Sequence, residues 1–104
     1  MFVQIITMKA PLGKIAQLRD LVSMEYLPAI EERPGFINAH LLEQVDDRDA
    51  TKLVIYWESQ GSFESLARTG VLDGSTHSIA ARLPGLQVQR DSYIVIISTD
   101  EINA

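Results

Sequence analysis

Cysteine is absent from this chain of 104 residues, which excludes disulfides, thiolate nucleophiles and cysteine-based metal sites. Cations are scarce: 9 Lys plus Arg stand against 14 Asp plus Glu, a formal charge of −5. That balance opposes general affinity for phosphate backbones or anionic lipid, so neither nucleic acid nor a membrane surface is expected as a partner. No apolar run approaches the roughly 18 residues of a membrane span. The opening "MFVQIITMKAP" has no basic stretch ahead of a long apolar one, so no export signal is read and a cytoplasmic protein is expected. Two histidines without cysteine argue against structural zinc, and no glycine-rich phosphate cradle occurs. The length suits one domain, expected over residues 1–104, with no internal repeat and no linker.

What is present divides by hydrophobic period. "FVQIITMKA" (Phe2 to Ala10) is short and β-rich, and "PLG" punctuates it. From Lys14 the rhythm changes, with Ile15, Leu18, Val22 and Tyr26 at the three-to-four spacing of an amphipathic helix. Pro28 is expected to kink or end that helix, and Pro34–Gly35 to stop it. "FINAHLLEQV" and "TKLVIYWE" read as strands around a five-residue loop, "DDRDA". Ser59 is placed to cap a helix carrying Phe63 and Leu66, although Gly61 weakens it. A second helical piece is expected over Ser75 to Leu83, followed by a long strand, "LQVQRDSYIVIIS", with a bulge near Arg90 and Asp91. The order β-α-β-β-α-β predicts an α+β, ferredoxin-like fold with an antiparallel sheet.

Two strands, "LVIYW" and "YIVIIS", are apolar at nearly every position. A sheet with helices on one face should alternate, so both faces want burial, and a second copy of the chain is the expected cover for the second face, the alternatives being coverage by the C-terminal tail or an open apolar face.

The only tryptophan, Trp57, stands at a strand-to-helix junction. If Leu53, Ile55 and Trp57 share one side of their strand, the indole lies between sheet and helices at a cavity mouth; the alternative is a core plug. Asn38 and His40 are read on one strand face with Phe36 and Leu42, pointing into a cavity or bonded at the sheet edge. His77 opens the last helical piece and is a second candidate for the same cavity, or an exposed first-turn residue. Tyr56 points away from Trp57, toward the expected dimer interface. Arg82 is expected to pair with a carboxylate, and Asp46, Asp47, Arg48 and Asp49 to form a solvated loop.

"RPGF" between the first helix and the second strand, with "YWES" followed by "SF" at the junction after the third strand, resembles the antibiotic biosynthesis monooxygenase family over nearly the whole chain. The resemblance implies a dimeric α/β barrel of two face-to-face sheets, each with a substrate pocket between sheet and helices. It also implies oxygenation of a small anthrone- or quinol-like aromatic by molecular oxygen without metal, flavin or haem. On that reading Trp57, His40 and His77 are the catalytic candidates, as indole donor and proton acceptors, while Asn38, Phe63, Leu53 and Phe36 bind substrate. The chain departs from polyketide-tailoring members, which carry Asn and Tyr where Leu53 and Phe63 stand. A haem-degrading branch is similar too, but its ligand histidine falls at Thr76, leaving His77 about 100° around a helix, and its first-strand asparagine is missing, with Gln4 and Thr7 the nearest polar residues. The remaining alternative is a dimeric small-molecule binding protein without turnover.

Overall fold

The computed structural model describes residues 1–99, so the last five residues of the expected single domain lie outside the described residues. The fold is α+β: four antiparallel strands in the order β2-β3-β1-β4, with helices against one face. The strands are β1 (Phe2–Lys9), β2 (Phe36–Gln44), β3 (Asp47–Trp57) and β4 (Gln87–Ile94). Helix α1 is continuous through three segments, α-helical Ile15–Leu21, π-helical Val22–Tyr26 and α-helical Leu27–Ile30. Helices α2 (Gln60–Ala67) and α3 (Val71–Arg82) follow β3. None of the described helices is long and apolar enough to cross a membrane.

The π segment explains why Pro28 does not end α1. Leu18, Val22, Tyr26 and Ile30 are all buried, a four-residue spacing that drifts by about 40° per step on an ideal α-helix. The wider π turn removes much of that drift and keeps Tyr26 and Ile30 facing the sheet. Its bonds already skip a residue, Leu27 N–H donating to the Val22 carbonyl. Pro28 then falls in the first turn of the next segment, where a missing N–H disturbs little.

Three boundaries correct the sequence expectations. The "DDRDA" segment is not a five-residue loop: β3 begins at Asp47 and pairs with Gln44, leaving a tight turn at Val45 and Asp46. Charged side chains still permit backbone pairing, and Ala10 N–H donates to the Asp49 carbonyl at 2.8 Å. Helix α3 starts at Val71, one turn earlier than expected, because Gly70 takes a φ of 78° and turns the chain into it. Strand β4 ends at Ile94 and pairs with β1 in unbroken register, without the bulge expected near Arg90 and Asp91.

The two short motifs meet in space. Ser59 caps α2, its hydroxyl accepting from Ser62 N–H at 3.2 Å. Gly35, at a φ of +85°, lies directly against Ser62: a Cβ there would stand 2.2 Å from Ser62 Oγ and 2.4 Å from its Cβ. Glu58 N–H donates to the Gly35 carbonyl at 2.8 Å, closing the junction. Gly35→Ala adds left-handed strain and overpacking, each costing about 1–3 kcal/mol. A loss of roughly 2–5 kcal/mol is therefore expected in denaturant unfolding, against a small change for Gly13→Ala, whose Cβ meets nothing within 4 Å.

Candidate functional site

Strand pairing sets the interior in rows. Facing the helices, β1 and β3 align Phe2 with Trp57, Gln4 with Ile55, Ile6 with Leu53 and Met8 with Thr51. Leu53, Ile55 and Trp57 are at most 1% exposed, so the expected phase of β3 holds. Trp57 is wholly buried between edge-on rings, Phe36 at 5.8 Å and Phe63 at 6.1 Å between centroids, with Phe2 against Phe63 at 5.2 Å. The aromatic cluster occupies one end of the layer between sheet and helices.

Three buried polar atoms in that layer have no hydrogen-bond partner: Trp57 Nε1, Gln4 Oε1 and Tyr26 OH. Each such atom costs about 1–3 kcal/mol relative to a satisfied one. Burial pushes the Tyr26 phenol up to about 12, partly opposed by the Arg90 guanidinium, with Asp73 adding to the rise. The phenol is therefore neutral, a hydrogen-bond donor rather than a base, at any physiological pH.

Two consequences can be measured on Tyr26→Phe. Because the hydroxyl bonds to nothing in the folded chain, its removal should leave stability at neutral pH unchanged or raise it, by up to about 1–3 kcal/mol. The phenol's pKa is raised on folding, so its contribution is complete below pH 10 and is lost as pH rises toward 12. Alkaline unfolding should consequently be shallower in Tyr26→Phe than in the parent protein.

Beyond the Gln4 row, a cavity of about 20 Å³ is lined by Ile6, Val22, Tyr26, Leu53, Thr76 and Ile79, together with Met8, Leu86 and Val88. Arg90 ties β4 to α3 beside it, donating to Asp73 Oδ1 at 3.1 Å and Thr76 Oγ1 at 2.5 Å. Glu25, next to Tyr26 on the π segment, accepts from Ser78 at 3.1 Å and pairs with Arg82, the carboxylate partner expected for that arginine.

The sequence candidates divide between two faces. Phe36, Leu53, Trp57 and Phe63 belong to the buried helix-facing layer. Asn38 and His40 do not: the register shifts between Phe36 and Asn38, so Phe36 pairs with Trp57 while Asn38 and His40 pair with Tyr56 and Val54 on the opposite face. This bulge corrects the reading that put Asn38 and His40 in phase with Phe36. They line a separate depression of about 370 Å³ with Tyr56, Val95 and Ile97, where His40 meets Tyr56 edge-on at 6.2 Å. His77 is exposed on α3, whereas its neighbour Thr76 faces the interior cavity. Gln4 and Tyr26 were legible only as an out-of-place polar residue on an inward strand position and as one step of a helical stripe. No group of three His, Cys, Asp or Glu side chains among the described residues is placed to hold a metal ion.

Residues 1–70 match the family model for antibiotic biosynthesis monooxygenase. Among solved structures, a candidate antibiotic biosynthesis monooxygenase from Deinococcus radiodurans superposes with a TM-score of 0.80 at 14% identity, covering 94% of this chain and 95% of the other. SnoaB, a cofactor-independent oxygenase from Streptomyces nogalater, gives 0.74 at 13% identity over 93% and 95%. A MhuD variant with two manganese protoporphyrin IX bound per active site gives 0.70 at 22% identity over 94% and 97%. Curated protein sequences give no significant match. At these identities the structural likeness establishes the fold.

Proposed function

This chain belongs to the antibiotic biosynthesis monooxygenase family, and from that premise we propose that it is a cytoplasmic, cofactor-independent monooxygenase. Its substrate is a small electron-rich aromatic, quinol- or anthrone-like, bound between sheet and helices and oxidised by molecular oxygen. The observation that carries this reading is the set of three unpartnered polar atoms, Trp57 Nε1, Gln4 Oε1 and Tyr26 OH, in one buried layer. Buried polar groups are ordinarily satisfied, so groups that the folded chain itself does not satisfy mark a place where a catalytic role or a bound molecule is to be sought.

The chemistry needs no resident electron carrier. An anthrone-type substrate loses a proton, its anion passes one electron to oxygen, and the radical and superoxide combine at carbon. Loss of water from that peroxide leaves a ketone, so that CH₂ plus O₂ gives C=O plus H₂O. Trp57 N–H donates to the developing oxyanion of the substrate, Tyr26 O–H donates to the oxygen being reduced, and the Gln4 carbonyl accepts from a substrate hydroxyl. The aromatic walls orient the ring and keep water out. His40 and His77 do not adjoin these atoms, so the proton leaves to solvent as the anion is stabilised, and one proton returns from solvent to the peroxide before water departs. Oxygen uptake with a panel of quinols and anthrones tests the proposal. Uptake is expected, and Trp57→Phe should lower it at least about tenfold by deleting one donor.

The open sheet face completes the assembly as a homodimer. Leu42 and Tyr93 are half exposed there, and Ile96 and Ile97 beyond β4 are about four-fifths exposed. A second copy is the cover that matches an apolar surface of this kind.

One observation favours a binding protein without turnover: the interior cavity of about 20 Å³ is far below the ~300 Å³ or more of a small-molecule pocket, and its lining does not include Trp57. An aromatic ligand must therefore move α2 or α3 off the sheet. Stoichiometric quinol binding with no oxygen uptake would establish that reading. Haem fits poorly. Thr76, at the position of the haem branch's ligand, is occupied with the Leu72 carbonyl and Arg90, and His77 faces solvent. Haem titration should give no stoichiometric Soret band; a band abolished by His77→Ala would reverse this.

A further inference from the structure

The cavity beside Tyr26 differs from the aromatic end of the interior in chemistry. Its walls are apolar and mostly aliphatic, with one phenol ring and one thioether, apart from the hydroxyls of Tyr26 and Thr76, and Ile6, Val22, Leu53 and Ile79 are each at most 3% exposed. At about 20 Å³ it has room for a single water-sized molecule. A buried water makes about three hydrogen bonds. Here Thr76 Oγ1 is already engaged, donating to the Leu72 carbonyl at 2.9 Å and accepting from Arg90. Tyr26 OH is the only unengaged polar atom of the lining side chains. A water placed there would be under-bonded, whereas a small apolar molecule gains contact with every aliphatic wall and needs no donor.

Position adds to composition. Leu53 and Trp57 lie four residues apart on β3, roughly 13 Å, with the Gln4–Ile55 row between them. Val88, on the edge strand, is the most open of the walls at 37% exposure and marks the side from which a small molecule enters.

We propose that this cavity is a dioxygen-holding site, set at the opposite end of the interior from Trp57, so that the aromatic substrate lies between indole and gas. The identity of the gas as co-substrate rests on the monooxygenase reading; the affinity of the cavity for a small apolar molecule does not. Tyr26, lining the cavity with a neutral donor, is then the group nearest the oxygen that receives the electron.

The experiment uses the full chain, methyl-labelled and free of substrate, under oxygen pressure. Paramagnetic relaxation should be several-fold greater at the methyls of Ile6, Val22, Leu53 and Ile79 than at that of Leu66, which is equally buried. Xenon should shift the same resonances. Val22→Ile adds one methyl group to the cavity and should abolish the enhancement; Val88→Ile, at the more tolerant edge, serves if the first variant folds poorly. Uniform relaxation across buried methyls, a long-lived water beside Tyr26, or an enhancement that survives both variants would overturn the proposal while leaving oxygen uptake unaddressed. A gas-filled cavity in a protein that consumes no oxygen with any substrate would instead overturn the co-substrate role together with the proposed function.

Discussion

Trp57→Ala is expected to destabilise the fold by about 3–5 kcal/mol, the cost of opening a large cavity where an aromatic side chain was fully buried. The indole is 0% exposed and fixed by Phe36 and Phe63 on either side, so neighbouring rings cannot close the gap without breaking their own edge contacts. Against a total stability of ~5–15 kcal/mol for a domain of this size, about a fifth or more of the folding free energy would go. Trp57→Phe behaves differently. It keeps a ring in the cluster and deletes an N–H that has no partner in the folded chain, so the loss should not exceed roughly 1–2 kcal/mol. If the indole N–H serves the substrate, the conservative variant loses activity and the drastic one loses the fold. Thermal unfolding beside oxygen uptake separates the two roles, and a folded Trp57→Phe with unchanged turnover would remove Trp57 from the chemistry.

The second large effect concerns the sheet face that no helix covers among the described residues. Val54 lies there between Ile5 on β1 and His40 on β2 and is 8% exposed; Tyr93, opposite Val3, is 52% exposed in the single chain. An aspartate at either position would be buried unpaired in the proposed dimer, at a cost of several kcal/mol. Val54→Asp should dissociate the dimer or prevent folding. Tyr93→Asp is the cleaner probe, because a lone protomer already leaves that side chain in water. It should yield folded monomers at concentrations where the parent chain sediments as a dimer. A parent chain that is itself monomeric at micromolar concentration would contradict the assembly.

The sequence made the order of elements legible because most signals agreed locally: β-rich strands, a helical stripe from Ile15 to Tyr26, and a serine cap after Trp57. The phase of β3 was readable only in part: Lys52 and Tyr56 set the outward positions, while Val54 between them is as apolar as the inward Leu53 and Ile55. The phase of β2 was not. Phe36, Ile37, Leu41 and Leu42 are apolar on both phases, so a one-residue bulge leaves no trace in the pattern. The π turn was equally hidden, since a four-residue spacing also fits an α-helix loosely. The start of α3 was missed as well: Gly70 turns the chain into that helix and Gly74 sits within it. The orphaned hydroxyl of Tyr26 and amide oxygen of Gln4 could not be read at all, because lack of a partner is a property of the packed interior and not of a residue's neighbours in sequence.

The central claim is that the buried polar atoms between sheet and helices meet a ligand, and the tryptophan offers a direct report. With one tryptophan in the chain, a ¹⁵N-labelled sample gives one indole N–H resonance, which can be followed while anthrone and a naphthoquinol are titrated in without oxygen. The account predicts a saturable downfield shift of that resonance, as Nε1–H gains its first acceptor, with slowed hydrogen exchange at the same site. Saturable binding that perturbs the amides of Asn38, His40 and Tyr56 on the open face, while the indole resonance stays fixed, would contradict it.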